Sequence, residues 1–314
     1  MLRKVRSGED MKTQINGITI AYSDRGTGLP IVFLHAFPLN RTMWAQQEEA
    51  LSLQFRVITI DLRGHGESDA PLWRYTLEQS VDDVNALLDH LAIQQALFVG
   101  LSMGGYILFA FYRKYAARVK GLILADTRAQ ADTAEGKDGR FQIAQTAYKK
   151  GPSAIADIMM PKLLSPATIQ TRTALVQQVR AMIEGNQISG IAGDLMAMAE
   201  RLDSIPFLSQ ITCPTQIIVG ELDQATPPSD AKLMADQIPN ARLVIISNAA
   251  HLTNLEQPEA FNQIVAAFAS NLAKKSIADR QPLYAETRHS QVKAEENEDP
   301  KPVFLKVEVM DRLG

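Results

Sequence analysis

The sequence predicts an α/β protein built on a doubly wound, mostly parallel sheet, and three observations point to it. Short continuous apolar runs recur at wide spacing, at residues 31–34, 57–60, 96–99, 121–125, 217–219 and 243–246. Runs without alternation suit strands covered on both faces. Segments of helical period fill the gaps, and such strand–helix alternation calls for right-handed crossovers onto one sheet. Taken in order, the chain opens with a hairpin: 13–15 and 18–22 flank Asn16-Gly17, a pair suited to a tight turn with two positive φ angles. Helical patterns follow at 42–53, 77–91, 104–115 and 231–238, and a last one carries Phe261, Ile264, Val265 and Phe268. In 77–91 the apolar stripe is Val81, Val84, Leu87, Leu88 and Leu91.

The alternation breaks over residues 127–204, which read as a helical insertion capping one edge of the sheet. Five methionines fall there: Met159, Met160, Met182, Met196 and Met198. They read either as core filler or as lining for an adaptable apolar pocket, a use suited to the flexible thioether. Residues 12–126 and 205–273 then form the core. The tail, 274–314, is foreign to this pattern: a charged block at 293–301 reads as solvated. The alternating run that follows reads as an added edge strand, a partner-binding peptide or appended sequence.

Composition narrows the function. Of 314 residues, 46% are hydrophobic and 21% charged, which is ordinary for a globular chain. The 32 basic and 35 acidic side chains leave a net charge of −3, too weak a field to imply nucleic acid or an anionic membrane. One cysteine, Cys213, excludes an intrachain disulfide and reads as an inert buried thiol. No run of about 18 apolar residues suggests a membrane span. The charged first ten residues do not resemble a secretory signal, so a cytoplasmic enzyme is expected.

The chemistry centres on Gly100-Leu101-Ser102-Met103-Gly104-Gly105, which follows an apolar strand and opens a helix. Gly-x-Ser-x-Gly in that context is a nucleophile elbow: a sharp turn pushes the Ser102 hydroxyl beyond the sheet end, and side chains at 100 and 104 would strike backbone. A hydroxyl needs a base. Among five histidines, His251 lies on the loop after the last core strand, where sites of open α/β sheets cluster. His90 lies in a helix and His289 in the tail, and His35 reads as loop-shaping rather than as a base. The base needs a carboxylate to orient it. Asp223 ends the preceding strand, with Asp126 as competitor at the end of the strand 121–125. The order Ser102, Asp223, His251 is the one expected of an elbow of this type. A tetrahedral intermediate needs donors for its oxyanion. The backbone N–H of Met103 is one candidate, and that of Phe37, in the loop after 31–34, is the other. The loop Asp61-Leu62-Arg63-Gly64-His65-Gly66 reads as tight packing in preference to a phosphate cradle, since a third glycine and an opening helix are missing. Trp44 and Trp73 flank the site in sequence, as core or acyl-pocket residues.

These strings resemble the α/β-hydrolase superfamily over residues 12–273, and within it the carboxylesterases akin to 3-oxoadipate enol-lactonase. The supporting strings are His35-Ala36-Phe37-Pro38-Leu39, 61–68, Gly100 to Tyr106, Gly220-Glu221-Leu222-Asp223 and Ala250-His251. The resemblance implies an eight-stranded core sheet, a helical cap at 127–204, an esterase triad and no cofactor. It implies hydrolysis of small, short- to medium-chain carboxylic esters. A serine at the elbow sets the chain apart from relatives with an aspartate there, the haloalkane dehalogenases and epoxide hydrolases. One departure is Ala36, where the family usually has glycine; its Cβ matters if that position needs a positive φ. Rival readings are lactone hydrolysis with Arg128 or Arg140 holding a carboxylate, cofactor-free perhydrolase or haloperoxidase chemistry, and a ligand-binding protein on the same fold.

Overall fold

A computed structural model describes residues 11–72, 74–278 and 304–307. Trp73, His289 and the charged block of the tail lie outside the described residues. The N-terminal hairpin pairs β1 (Met11–Ile15) with β2 (Ile18–Arg25), and Asn16 and Gly17 both take positive φ, 50° and 80°. Then follow β3 (Pro30–Leu34), α1 (Ala45–Leu51), β4 (Arg56–Ile60), α2 (Leu77–His90), β5 (Ala96–Leu101), α3 (Met103–Tyr115) and β6 (Val119–Ala125). The single helix expected at 42–53 is split: a 3-10 turn, Arg41–Trp44, precedes α1. Thr76 and Gln79 close a capping box at the start of α2, satisfying two orphan N–H groups reciprocally.

Residues 127–204 carry no strand among the described residues. They form α4 (Ala134–Lys150), α5 (Pro152–Leu163), α6 (Pro166–Thr171), α7 (Thr173–Glu184) and α8 (Ile188–Ala199). The core then resumes with β7 (Thr215–Gly220), α9 (Pro228–Gln237), β8 (Ala241–Ile246), α10 (Thr253–Glu256) and α11 (Pro258–Ala278). The last helix runs five residues past the expected core boundary at 273. A further strand, β9 (Phe304–Val307), pairs in parallel with β8, so the eight core strands gain a ninth from the tail.

The sheet order is β1-β2-β4-β3-β5-β6-β7-β8-β9, in which β2 pairs antiparallel with both β1 and β4 and every other pair is parallel. Every residue of β5 and β7 is buried, as strands covered by helices on both faces should be. The chain reverses direction across the sheet between β3 and β5, and the crevice at such a switch point is where open α/β folds hold ligands. The loop after β3 and the elbow after β5 therefore meet at the same sheet end. No helix among the described residues is long and apolar enough to cross a membrane.

Candidate active site

Ser102 sits between β5 and α3 with φ 55° and ψ −111°, a backbone conformation that costs a non-glycine residue of order 1–3 kcal/mol. Two glycines let the surroundings hold that strain. A Cβ on Gly104 would lie 2.3 Å from the Leu34 carbonyl oxygen, and one on Gly100 would lie 2.5 Å from the Gly104 carbonyl carbon. Both obstacles are backbone, so neither can yield.

His251, buried on the loop between β8 and α10, places Nε2 2.9 Å from Ser102 Oγ. Its Nδ1 lies 2.8 Å from Asp223 Oδ2. Asp223 is held by its own turn: Oδ1 accepts from the N–H groups of Ala225 and Thr226 at 2.8 and 3.0 Å, and Oδ2 accepts from the Thr226 hydroxyl at 2.7 Å. Burial works to raise the Asp223 carboxyl, but the imidazole beside it and these donors hold it below the usual carboxylate range. Thr226 was missed from sequence, although an aspartate three residues before a threonine in a Pro-rich turn is a recognisable side-chain-to-backbone signal.

Asp126 takes a different place. It adopts φ 42° at the end of β6, accepts from Gly220 N–H at 2.9 Å on Oδ1, and accepts from the Thr253 hydroxyl on Oδ2. Among the described residues it makes no hydrogen bond to His251. Burial, and then the neighbouring Asp223 carboxylate, push its acid group well above the usual range. The structure thus brings together Ser102, His251 and Asp223, and leaves Asp126 as a strut between β6, β7 and α10.

Phe37 and Met103 flank Ser102 from the two loops at the switch point. Among the described residues, the backbone N–H of neither has an acceptor. Ala36 is not in the left-handed region, so its methyl group costs nothing in strain; its N–H donates to Met43 Sδ at 3.3 Å. His35 is a loop residue: Nε2 accepts from Leu62 N–H at 3.1 Å, and burial lowers its pKa to about 4. The Gly64–Gly66 loop holds no open cradle, because the Asp61 carboxylate already fills the space beside Gly66. Trp44 is core, packed on Phe33 and Phe261 at 4.9 and 5.9 Å between ring centroids. Cys213 is half-buried, and burial pushes its thiol up.

Ser102 and His251 open into a cavity of about 740 Å³ between core and cap. Its apolar wall includes Phe37, Tyr106, Ile143, Met159, Leu195 and Met198. The methionines therefore divide: Met159 and Met198 face the cavity, while Met160 and Met182 are buried within the cap. Arg128, Arg140, Lys162 and Asp132 supply its charges. Arg140 and Arg201 both pair with Asp132, and Arg128 donates to the Ala225 carbonyl. Lys162, exposed at the end of α5, has no ion-pair partner among the described residues.

Residues 30–156 match the family described as the alpha/beta hydrolase fold. The chain is 32% identical over 253 residues to 3-oxoadipate enol-lactonase 2 of Acinetobacter baylyi, covering 81% of this chain and 92% of that protein. Among solved structures it resembles a thermophilic esterase from Thermogutta terrifontis, with a TM-score of 0.81 and 40% identity over 84% of this chain and 99% of that one. It also resembles the enol-lactonase from Burkholderia xenovorans LB400, with a TM-score of 0.78 and 31% identity over 83% of this chain and all of that one. Fold and relatives together make this chain a member of the α/β-hydrolase family, among whose matched relatives are esterases and enol-lactonases.

Proposed function

We propose that the protein is a serine carboxylesterase acting on small, short- to medium-chain esters. The observation that carries this reading is the unbroken line from the Asp223 carboxylate through His251 to the Ser102 hydroxyl, 2.8 and 2.9 Å apart, at the floor of a largely apolar cavity. Ser102 Oγ attacks the ester carbonyl as His251 Nε2 takes its proton. The carbonyl oxygen becomes an oxyanion and is met by the N–H groups of Phe37 and Met103, the latter at the positive end of α3. Collapse of the intermediate breaks the bond to the alcohol, which leaves with the proton from His251. Water then attacks the acyl-enzyme, giving its proton to His251, and the carboxylic acid departs as Oγ recovers that proton. Asp223 stays anionic throughout and stabilises the imidazolium.

The test is a chain-length series. Purified protein should turn over p-nitrophenyl acetate and butyrate readily and octanoate less well, with kcat/KM falling on the acid side as the base is protonated. A protein that hydrolyses none of the three would overturn the assignment.

One observation favours a second reading, in which the substrate is a lactone or ester bearing a carboxylate: the unpaired Lys162 at the cavity wall. Lys162→Met should then raise KM about tenfold for an acidic ester or lactone, the loss of roughly one exposed-to-half-buried charge contact, and leave neutral esters unchanged. Equal KM for both substrate types in parent and variant would remove the acidic-substrate reading.

A further inference from the structure

Between α7 and α8 the cap carries Asn186, a buried side chain whose amide reaches into the core at both ends. Its Oδ1 accepts from Gly66 N–H at 2.8 Å, and its Nδ2 donates to the Pro38 carbonyl at 2.7 Å and lies 3.4 Å from the Leu39 carbonyl. The two partners fix the amide's orientation, since an N–H needs an acceptor and a carbonyl needs a donor. Pro38 is the residue after Phe37. Among the described residues, no other cap side chain hydrogen-bonds to residues 35–39.

The two core loops that Asn186 joins are already braced to each other. The Asp61 carboxylate accepts from Arg41 N–H at 2.7 Å and from Glu67 N–H at 2.9 Å, and it pairs with the Arg41 guanidinium. Leu39 N–H closes a turn onto the Ala36 carbonyl at 2.8 Å. The 61–68 loop also meets the cap where the Asp194 carboxylate of α8 lies 3.3 Å from His65 Nδ1; the 35–39 loop is tied to the cap through Asn186. The Asn186 backbone N–H in turn bonds the Ile183 carbonyl of α7 at 3.2 Å, so the amide moves with the cap.

We propose that Asn186 is a positioning residue that couples the cap to the oxyanion loop, holding the Phe37 N–H where an oxyanion develops only while the cap is seated. The proposal rests on the esterase reading above and adds to it a route by which cap closure over a substrate completes the site. A donor displaced by a fraction of an ångström contributes less to a transition state than to a loosely held ground state, so the effect falls on kcat.

The experiment compares parent, Asn186→Ala and Asn186→Asp with p-nitrophenyl butyrate and with a short alkyl trifluoromethyl ketone, whose adduct on Ser102 carries an oxyanion. Asp is isosteric and keeps the acceptor for Gly66 N–H but loses the donor to Pro38, so it serves if the alanine variant folds poorly. Both variants should lose kcat by about 10- to 100-fold, less than outright loss of an oxyanion donor, with KM within about threefold. Affinity for the ketone should fall in proportion, and the acid limb of the pH profile should stay in place because His251 is untouched. Unchanged kcat and ketone affinity, or a rise in KM alone, would overturn the coupling. If Ser102→Ala retains the parent's activity, the esterase reading fails and this one with it, an outcome distinct from Ser102-dependent turnover that is indifferent to Asn186.

Discussion

Replacing Ser102 with alanine should abolish ester turnover, lowering kcat and kcat/KM together by about 10⁴–10⁶ while the fold survives. That span corresponds to about 5–8 kcal/mol of transition-state stabilisation. The fold should survive because the strained backbone at φ 55° is imposed by the surroundings: alanine keeps the Cβ, Gly100 and Gly104 keep their clearance, and Ser102 N–H still bonds the Ala125 carbonyl at 2.9 Å. Only the hydroxyl and its bond to His251 are lost, at the edge of a cavity where water can take its place. Melting temperature should therefore move by a few degrees at most, and circular dichroism should not change. Stoichiometric labelling by an organophosphonate, detected as a mass increment on the parent, should vanish in the variant. Equal slow rates for parent and variant would instead describe a ligand-binding protein on a hydrolase fold, in which the elbow is inherited geometry.

Much of this was legible in the residues because the relevant signals are local. The elbow is marked by glycines two residues to either side of Ser102, the I′-type hairpin by Asn16-Gly17, and the buried strands by short apolar runs. The order of Ser102, Asp223 and His251 along the chain then follows the strand order at one sheet end. What stayed hidden depends on pairings between distant segments. Nothing near Asn186 marks it as a partner for Pro38, 148 positions away. The sharing of Asp132 by Arg140 and Arg201 joins the start of the cap to its end, so the charges in 127–204 do not by their order along the chain separate paired cations from Lys162. The split of the expected helix at 42–53 has a local cause that periodicity overlooks: Asn40 caps a tight 3-10 turn through Thr42 N–H before the α-helix begins. For the tail, an alternating run at 303–309 fits a strand as well as a peptide ligand; only its pairing with β8 distinguishes them.

The carboxylate that orients His251 gives the second large effect, and it separates two aspartates that the residues alone leave in competition. Asp223→Asn should lower kcat by about 10⁴, the loss seen when a triad carboxylate of serine proteases becomes an amide. The amide nitrogen donates to His251 Nδ1, forcing the proton onto Nε2, where it can no longer accept from Ser102; the imidazolium also loses its counter-charge. Asp126→Asn should cost less than about tenfold, because Asp126 makes no hydrogen bond to His251 among the described residues, and burial and the Asp223 carboxylate push its acid group well above the usual range, so an amide there sacrifices less charge than one at 223. Its oxygen can still accept from Gly220 N–H, and the Thr253 hydroxyl can turn to accept from the new amide. The two substitutions differ by one strand in position and by about 10³ in expected effect, a gap no difference in folding yield mimics once rates are normalised to folded protein measured by circular dichroism. A larger loss at 126 than at 223 would mean that the imidazolium leans on the strut between β6 and β7, and that the 2.8 Å contact to Asp223 is packing.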